Sequence, residues 1–217
     1  MSAALKELRE RFSVAALPAQ PEWGEQAEGR GARSRWSRAA LAGRLTELSA
    51  AGGAGVLSWA VGLVRDTQRE EETAAWVTAT ESGFYPPDAA ANGVDLETLT
   101  VVRVPDARGV GRAAGHLARS GAFGLIVLDL GAGAALPAAL QGRLVQHAQR
   151  HGTAILCLTE KPARAPSLGS LVSLRSHALR QRRGEGRFAC GLAVSKDKRW
   201  GPGWEQEEIR HGPPGLR

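Results

Sequence analysis

From Arg44 onward, short apolar runs alternate with longer segments whose apolar positions recur every three or four residues. RLTEL predicts a short strand, and VLSWAVGLVRDTQREEE predicts a helix after it. TAAWVTAT and LTVVRVP predict two further strands. In GVGRAAGHLARSG, Val110, Ala113, Ala114 and Leu117 share one helical stripe, and Gly121 ends the helix. FGLIVLDL is a continuous apolar run, the pattern of a strand covered on both faces. PAALQGRLVQHAQRHG predicts a helix ended by Gly152, and TAILCLTE a second doubly covered strand. Strands alternating with helices predict an α/β core with a mostly parallel central sheet, flanked by helices on right-handed crossovers. LVSLRSHALRQRR and FACGLAVSKDK, joined by GEG, predict a C-terminal antiparallel hairpin.

The two ends read differently. Ala4, Leu5, Leu8 and Phe12 fall near one helical face, and a linker rich in Pro, Gly and charge follows. RWGPGWEQEEIRHGPPGLR carries too many Pro, Gly and charged residues to suggest a core element. The expected organisation is an N-terminal helix and linker over 1–40, a core domain over 41–196 and a flexible C-terminal tail over 197–217.

With 217 residues, 43% of them hydrophobic, the chain can bury a full core. No apolar run reaches the roughly 20 residues that span a bilayer. MSAALKELRERF lacks the apolar stretch of a signal peptide, so a cytoplasmic protein with no membrane partner is expected. Cys157 and Cys190 lack metal-site spacing, and Cys157 lies in an apolar run as a small core residue. The net charge of +6 is uneven: from Lys161 on, twelve basic residues face five acidic ones, giving +7 there and −1 before it. Such an end suits nucleic acid, an acidic partner surface or plain solvation.

GRLTELSAAGGAGVLSWAVG has the layout of a phosphate-binding loop: strand, glycine-rich turn, helix. In such a loop the backbone N–H groups cradle phosphate, a Lys reaches the outer phosphates, and a Ser or Thr hydroxyl holds Mg²⁺. Gly52, Gly53 and Gly55 can form a cradle, but Val56 and Leu57 stand where the cation and the metal ligand belong. Ser58 comes one residue late and points to another face of the helix.

From Gly43 to Leu130 the chain resembles RecA recombinase. GRLTELSAAGGAG is similar to the RecA strand and phosphate-binding loop. GVDLETLTVVRVPD, with Gly93, Val94 and Asp95, resembles the approach to the third strand, and GRAAGHLARSGAFGLIVLDL the helix and acidic strand after it. Weaker similarity runs through GTAILCLTE and the final hairpin. The resemblance places Glu81 where RecA activates water, Asp129 where an acid supports Mg²⁺, and Glu160 near the γ-phosphate sensor. Read as ordinary structure, Asp129 is a strand-end or turn residue and Glu81 a surface or partner-contact residue. Carboxylates kept without a phosphate grip imply a pseudo-ATPase that is no enzyme and takes no cofactor. The connections LGAGAA and KPARAPSLGS are much shorter than RecA's DNA-binding loops, although Lys161 and Arg164 sit where they could touch phosphate.

Among RecA-like families lacking the ATP site, the short length, the degenerate loop and KRWGPGW with GPPGLR resemble the ImuA group. That resemblance implies a damage-inducible (SOS) mutagenesis accessory protein in DNA repair. Its partners would be RecA, an ImuB-type Y-family polymerase homologue and an error-prone replicative-type polymerase. The expected partner-binding residues are Lys196, Lys198, Arg199, Trp200 and Trp204, since exposed Trp and Arg favour interfaces and also stack on single-stranded bases. Arg180, Arg182, Arg183 and Arg187 in RQRRGEGR offer a weak nucleic-acid contact, or the charged edge that keeps a sheet from pairing. The alternatives are a SulA-like inhibitor of FtsZ and a DNA-binding module. His147 and His151 have a metal-compatible spacing but no evident third ligand, and His151 suits the end of its helix. His116, His177 and His211 suggest no partners in the sequence.

Overall fold

The computed structural model describes residues 35–51, 55–79, 84–132, 135–184 and 187–211. The chain is an α/β protein. Strands β1 (Leu45–Ala50), β2 (Ala74–Ala79), β3 (Leu99–Val104), β4 (Leu125–Ala132), β5 (Ala154–Glu160), β6 (Leu174–Arg182), β7 (Arg187–Asp197) and β8 (Glu205–His211) form one sheet in the order β3-β2-β4-β5-β1-β6-β7-β8. The first six in that order pair in parallel. β6, β7 and β8 pair antiparallel. The helices are α1 (Arg38–Leu41), α2 (Val56–Arg69), α3 (Pro86–Ala91), α4 (Ala107–Ser120) and α5 (Ala138–His151).

Strand periodicity splits the core into two layers. Leu125, Val127, Leu156 and Leu158 pack with Trp59, Ala60 and Leu63 of α2. Ile126, Leu128, Ile155 and Cys157 face the other way, onto Val110 and Ala114 of α4 and Leu144 and Ala148 of α5. Such double coverage is why β4 and β5 are apolar without alternation. Gly121 and Gly152 end α4 and α5 with φ of 68° and 69°, the left-handed cap expected of them. No helix among the described residues is long and apolar enough to cross a membrane.

Two helices went unforeseen. α1 has four residues, and α3 starts with Pro at its first positions, where a missing N–H costs nothing. The expected boundary at residue 40 falls inside α1, because Trp36 and Leu41 are buried in the core. The N-terminal helix expected at Ala4–Phe12 lies outside the described residues.

The flexible tail expected over 197–217 is corrected for residues 197–211. The Pro and Gly that suggested disorder make a turn, with Gly201 and Gly203 at φ of 79° and 92°. Gly203 donates to the Val194 carbonyl at 2.8 Å, and Val194 to that of Trp204 at 3.1 Å. β8 then lies along β7, with Ala193 opposite Glu205 and Arg187 opposite His211. The predicted hairpin of β6 and β7 is therefore extended by a third antiparallel strand.

Candidate functional site

The parallel order brings the carboxyl ends of β4, β5 and β1 side by side, the edge where open α/β sheets place ligands. Gly55 caps α2 with φ of 84° and no side-chain hydrogen bond. The backbone of β6 closes on this turn. A Cβ at Gly55 would stand 3.1 Å from the Leu179 carbonyl oxygen and 3.6 Å from the Cβ of Arg180. An acceptor oxygen thus lies against Gly55 at the start of α2, and the Arg180 guanidinium lies over the Phe188 ring, 5.1 Å from its centroid.

Val56 is 5% exposed and belongs to the core layer of Trp59 and Ala60; Leu57 packs half-buried against that layer. Both apolar side chains pack on the fold's interior, so the first two positions of α2 offer neither a cation nor a hydroxyl. The Ser58 hydroxyl hydrogen-bonds the Cys190 thiol of β7. Gly52, Gly53 and Glu81 lie outside the described residues.

Asp129 is half-buried near the end of β4, where the register of β4 against β5 shifts between Asp129 and Gly131. It accepts a hydrogen bond from Thr78 of the neighbouring β2 at 3.2 Å. Glu160 is exposed at the end of β5, opposite Ala50. The sheet therefore brings Gly55, Asp129 and Glu160 to one edge.

Lys161 has an internal role. Its ammonium lies 2.5 Å from the Glu47 carboxylate, whose side chain is fully buried in the central strand β1. That carboxylate also accepts from Thr159 (3.2 Å), Ser167 (3.1 Å) and the amide of Leu168 (2.9 Å), with Arg175 at 4.0 Å. Arg175 in turn donates to the Ala165 carbonyl. Glu47 thus ties the connection between β5 and β6 to the sheet. Burial, then the Glu47 charge, pushes the Cys157 thiol up, so it stays protonated.

A second buried ion pair holds the C-terminal strands. Arg44 donates to the Asp197 carboxylate at 2.6 Å, with side-chain exposures of 4% and 0%. Asp197 also accepts from the amides of Arg199 (2.8 Å) and Trp200 (3.3 Å) and from the indole of Trp204 (3.0 Å). Arg44 donates to Ser173 as well, at 2.9 Å. Trp204 is thereby an anchor within its own chain, packed on the core. Trp200 is 40% exposed, with the guanidinium groups of Arg44 and Arg199 over its ring, 5.5 and 5.6 Å from the centroid. Lys198 is exposed and Lys196 half-buried, and both donate to the Ser170 carbonyl.

Arg180, Arg182 and Arg187 are exposed, and Arg183 half-buried, around the β6–β7 turn. The rings of His147 and His151 stack 6.3 Å apart on α5, and no three metal-binding side chains converge among the described residues. His177 lies beside Ser49 at 3.5 Å, and burial followed by the Arg175 charge holds its pKa down. The sequence reading missed Glu47 and Asp197; a carboxylate inside a predicted strand was the one available signal. No protein-family model matches the chain, and no curated protein matches it.

Proposed function

We propose that this chain is a non-catalytic, RecA-like accessory protein of the DNA-damage response, of the ImuA type, and that it acts in translesion synthesis. The observation that carries the reading is the start of α2. There the RecA-like turn leads into Val56 and Leu57, both built into the core. A nucleotide's phosphates would meet apolar side chains and the Leu179 carbonyl, and uncompensated charge in a partly buried site costs several kcal/mol. The scaffold is retained without the chemistry, which suits an adaptor. It holds an ImuB-type partner and an error-prone replicative-type polymerase, and it restrains RecA. The exposed Lys198, Arg199 and Trp200 are the surface offered to a partner.

Isothermal titration with millimolar Mg²⁺-ATP tests the carrying observation: no heat of binding is expected, and saturable Mg²⁺-dependent binding refutes it. Capture on the tagged full-length chain from DNA-damaged cells, with and without nuclease, tests the role. Polymerase components and RecA are the expected catch. FtsZ instead supports the division-inhibitor reading. A catch that vanishes with nuclease supports DNA binding through the arginines of the β6–β7 turn.

A further inference from the structure

Away from the sheet edge, α4 and α5 form a groove of about 750 Å³ on the outer face of their layer. Its composition is one-sided. Arg108, Arg112, His116 and Arg119 recur every three or four residues along α4, all exposed, and Arg143 and His147 face them from α5. Neither helix contains an acidic residue, so no carboxylate on either helix neutralises the stripe. The floor is different. Gly111, Gly115, Leu136 and Leu140 line it, and Gly115 leaves space, since a Cβ there would meet the Leu140 side chain at 3.9 Å.

We infer that this groove is a docking site for an acidic, amphipathic helical segment of a partner protein. The occupant follows from the two chemistries together. Cationic rims call for carboxylates on either side of the bound segment, and a floor of glycines and leucines calls for apolar anchors at one-turn spacing. Gly111 is already packed by Leu140 of α5, Gly115 leaves the opening, and α4, at 14 residues, offers about 21 Å of length. A nucleic acid would satisfy the cations alone and leave the apolar floor of Leu136 and Leu140 unused, whereas an amphipathic helix matches both. The inference stands on this composition and is independent of the RecA-like reading.

The test uses the full-length protein and fluorescence anisotropy. The probes are a labelled helical peptide with Leu at i, i+4, i+7 and i+11 and Glu elsewhere, a scrambled peptide of equal composition, and oligo-dT of similar length. The helical peptide is expected to bind, to weaken as salt rises, and to outcompete the scrambled one. Arg112→Glu with Arg143→Glu is expected to weaken it roughly tenfold or more. Gly115→Leu, which fills the floor and favours the helix, is expected to weaken it while leaving the melting temperature unchanged or higher. Absent peptide binding, or binding that survives both changes, overturns the inference. Oligo-dT binding that these variants abolish, without peptide binding, overturns it in favour of a nucleic-acid groove.

Discussion

Replacing Asp197 with Ala should destabilise the fold severely, although residue 197 lies where the sequence suggests a dispensable tail begins. The substitution removes the acceptor of four hydrogen bonds and strands the Arg44 guanidinium beneath Trp200. Breaking a buried ion pair by deleting one partner costs about 3–5 kcal/mol. The lost indole and amide bonds fall inside that figure, because contacts within one network do not add. For a chain of this size each kcal/mol moves the melting temperature by about 2–4 °C, so a drop of roughly 6–20 °C is expected. Urea denaturation followed by circular dichroism measures it directly. Arg44→Met with Asp197→Leu, which removes both charges, should recover much of the loss. A change below about 1 kcal/mol for Asp197→Ala, or a chain truncated after Lys196 that keeps full stability, would refute the reasoning.

The same carboxylate sets a pH dependence. Burial alone would raise its pKa, but the Arg199 amide, the Trp204 indole and Arg44 outweigh burial and hold it below its ordinary value. A carboxyl held low in the folded chain stabilises it at pH above the unfolded value of about 4. That contribution disappears as pH falls through the lower folded value. Acid titration of stability should therefore show a loss below about pH 4 that Asp197→Asn, already destabilised at neutral pH, lacks.

Glu47→Ala should cost a similar ~3–5 kcal/mol and speed trypsin cleavage after Arg164, since Glu47 secures that connection and the Lys161–Pro162 bond resists trypsin; an unchanged digestion rate would count against it. Val56→Lys with Leu57→Thr should lower stability by several kcal/mol without gaining ATP affinity, read by thermal melts with and without Mg²⁺-ATP. Both cysteines should resist a thiol reagent at pH 8 in the folded chain and react fully in urea, because burial raises both thiols; fast native labelling would refute this.

What could be read from sequence divides along the range of the interactions. β4 and β5 were legible because a strand covered on both faces writes its environment into consecutive residues. The caps at Gly121 and Gly152 were legible because a left-handed turn nearly demands glycine. β8 was not: Glu205, Glu207 and Glu208 with a 56% exposed Ile209 is a fair composition for an edge strand and equally for a solvated tail. Its placement depends on Trp204 and Asp197, and Asp197 answers to Arg44, 153 positions away. Glu47 likewise draws its hydrogen-bond partners from 112 to 121 positions away. At the glycine-rich turn the sequence singles out Val56 and Leu57. Where their side chains go is a tertiary fact: Val56 lies in the core and Leu57 packs on it, so a cation at Val56 would mean burying a charge in the fold's interior. The same logic turns a carboxylate in a central strand into a legible signal. A charge that cannot reach water must have a cation somewhere in the chain, even when the sequence does not say which.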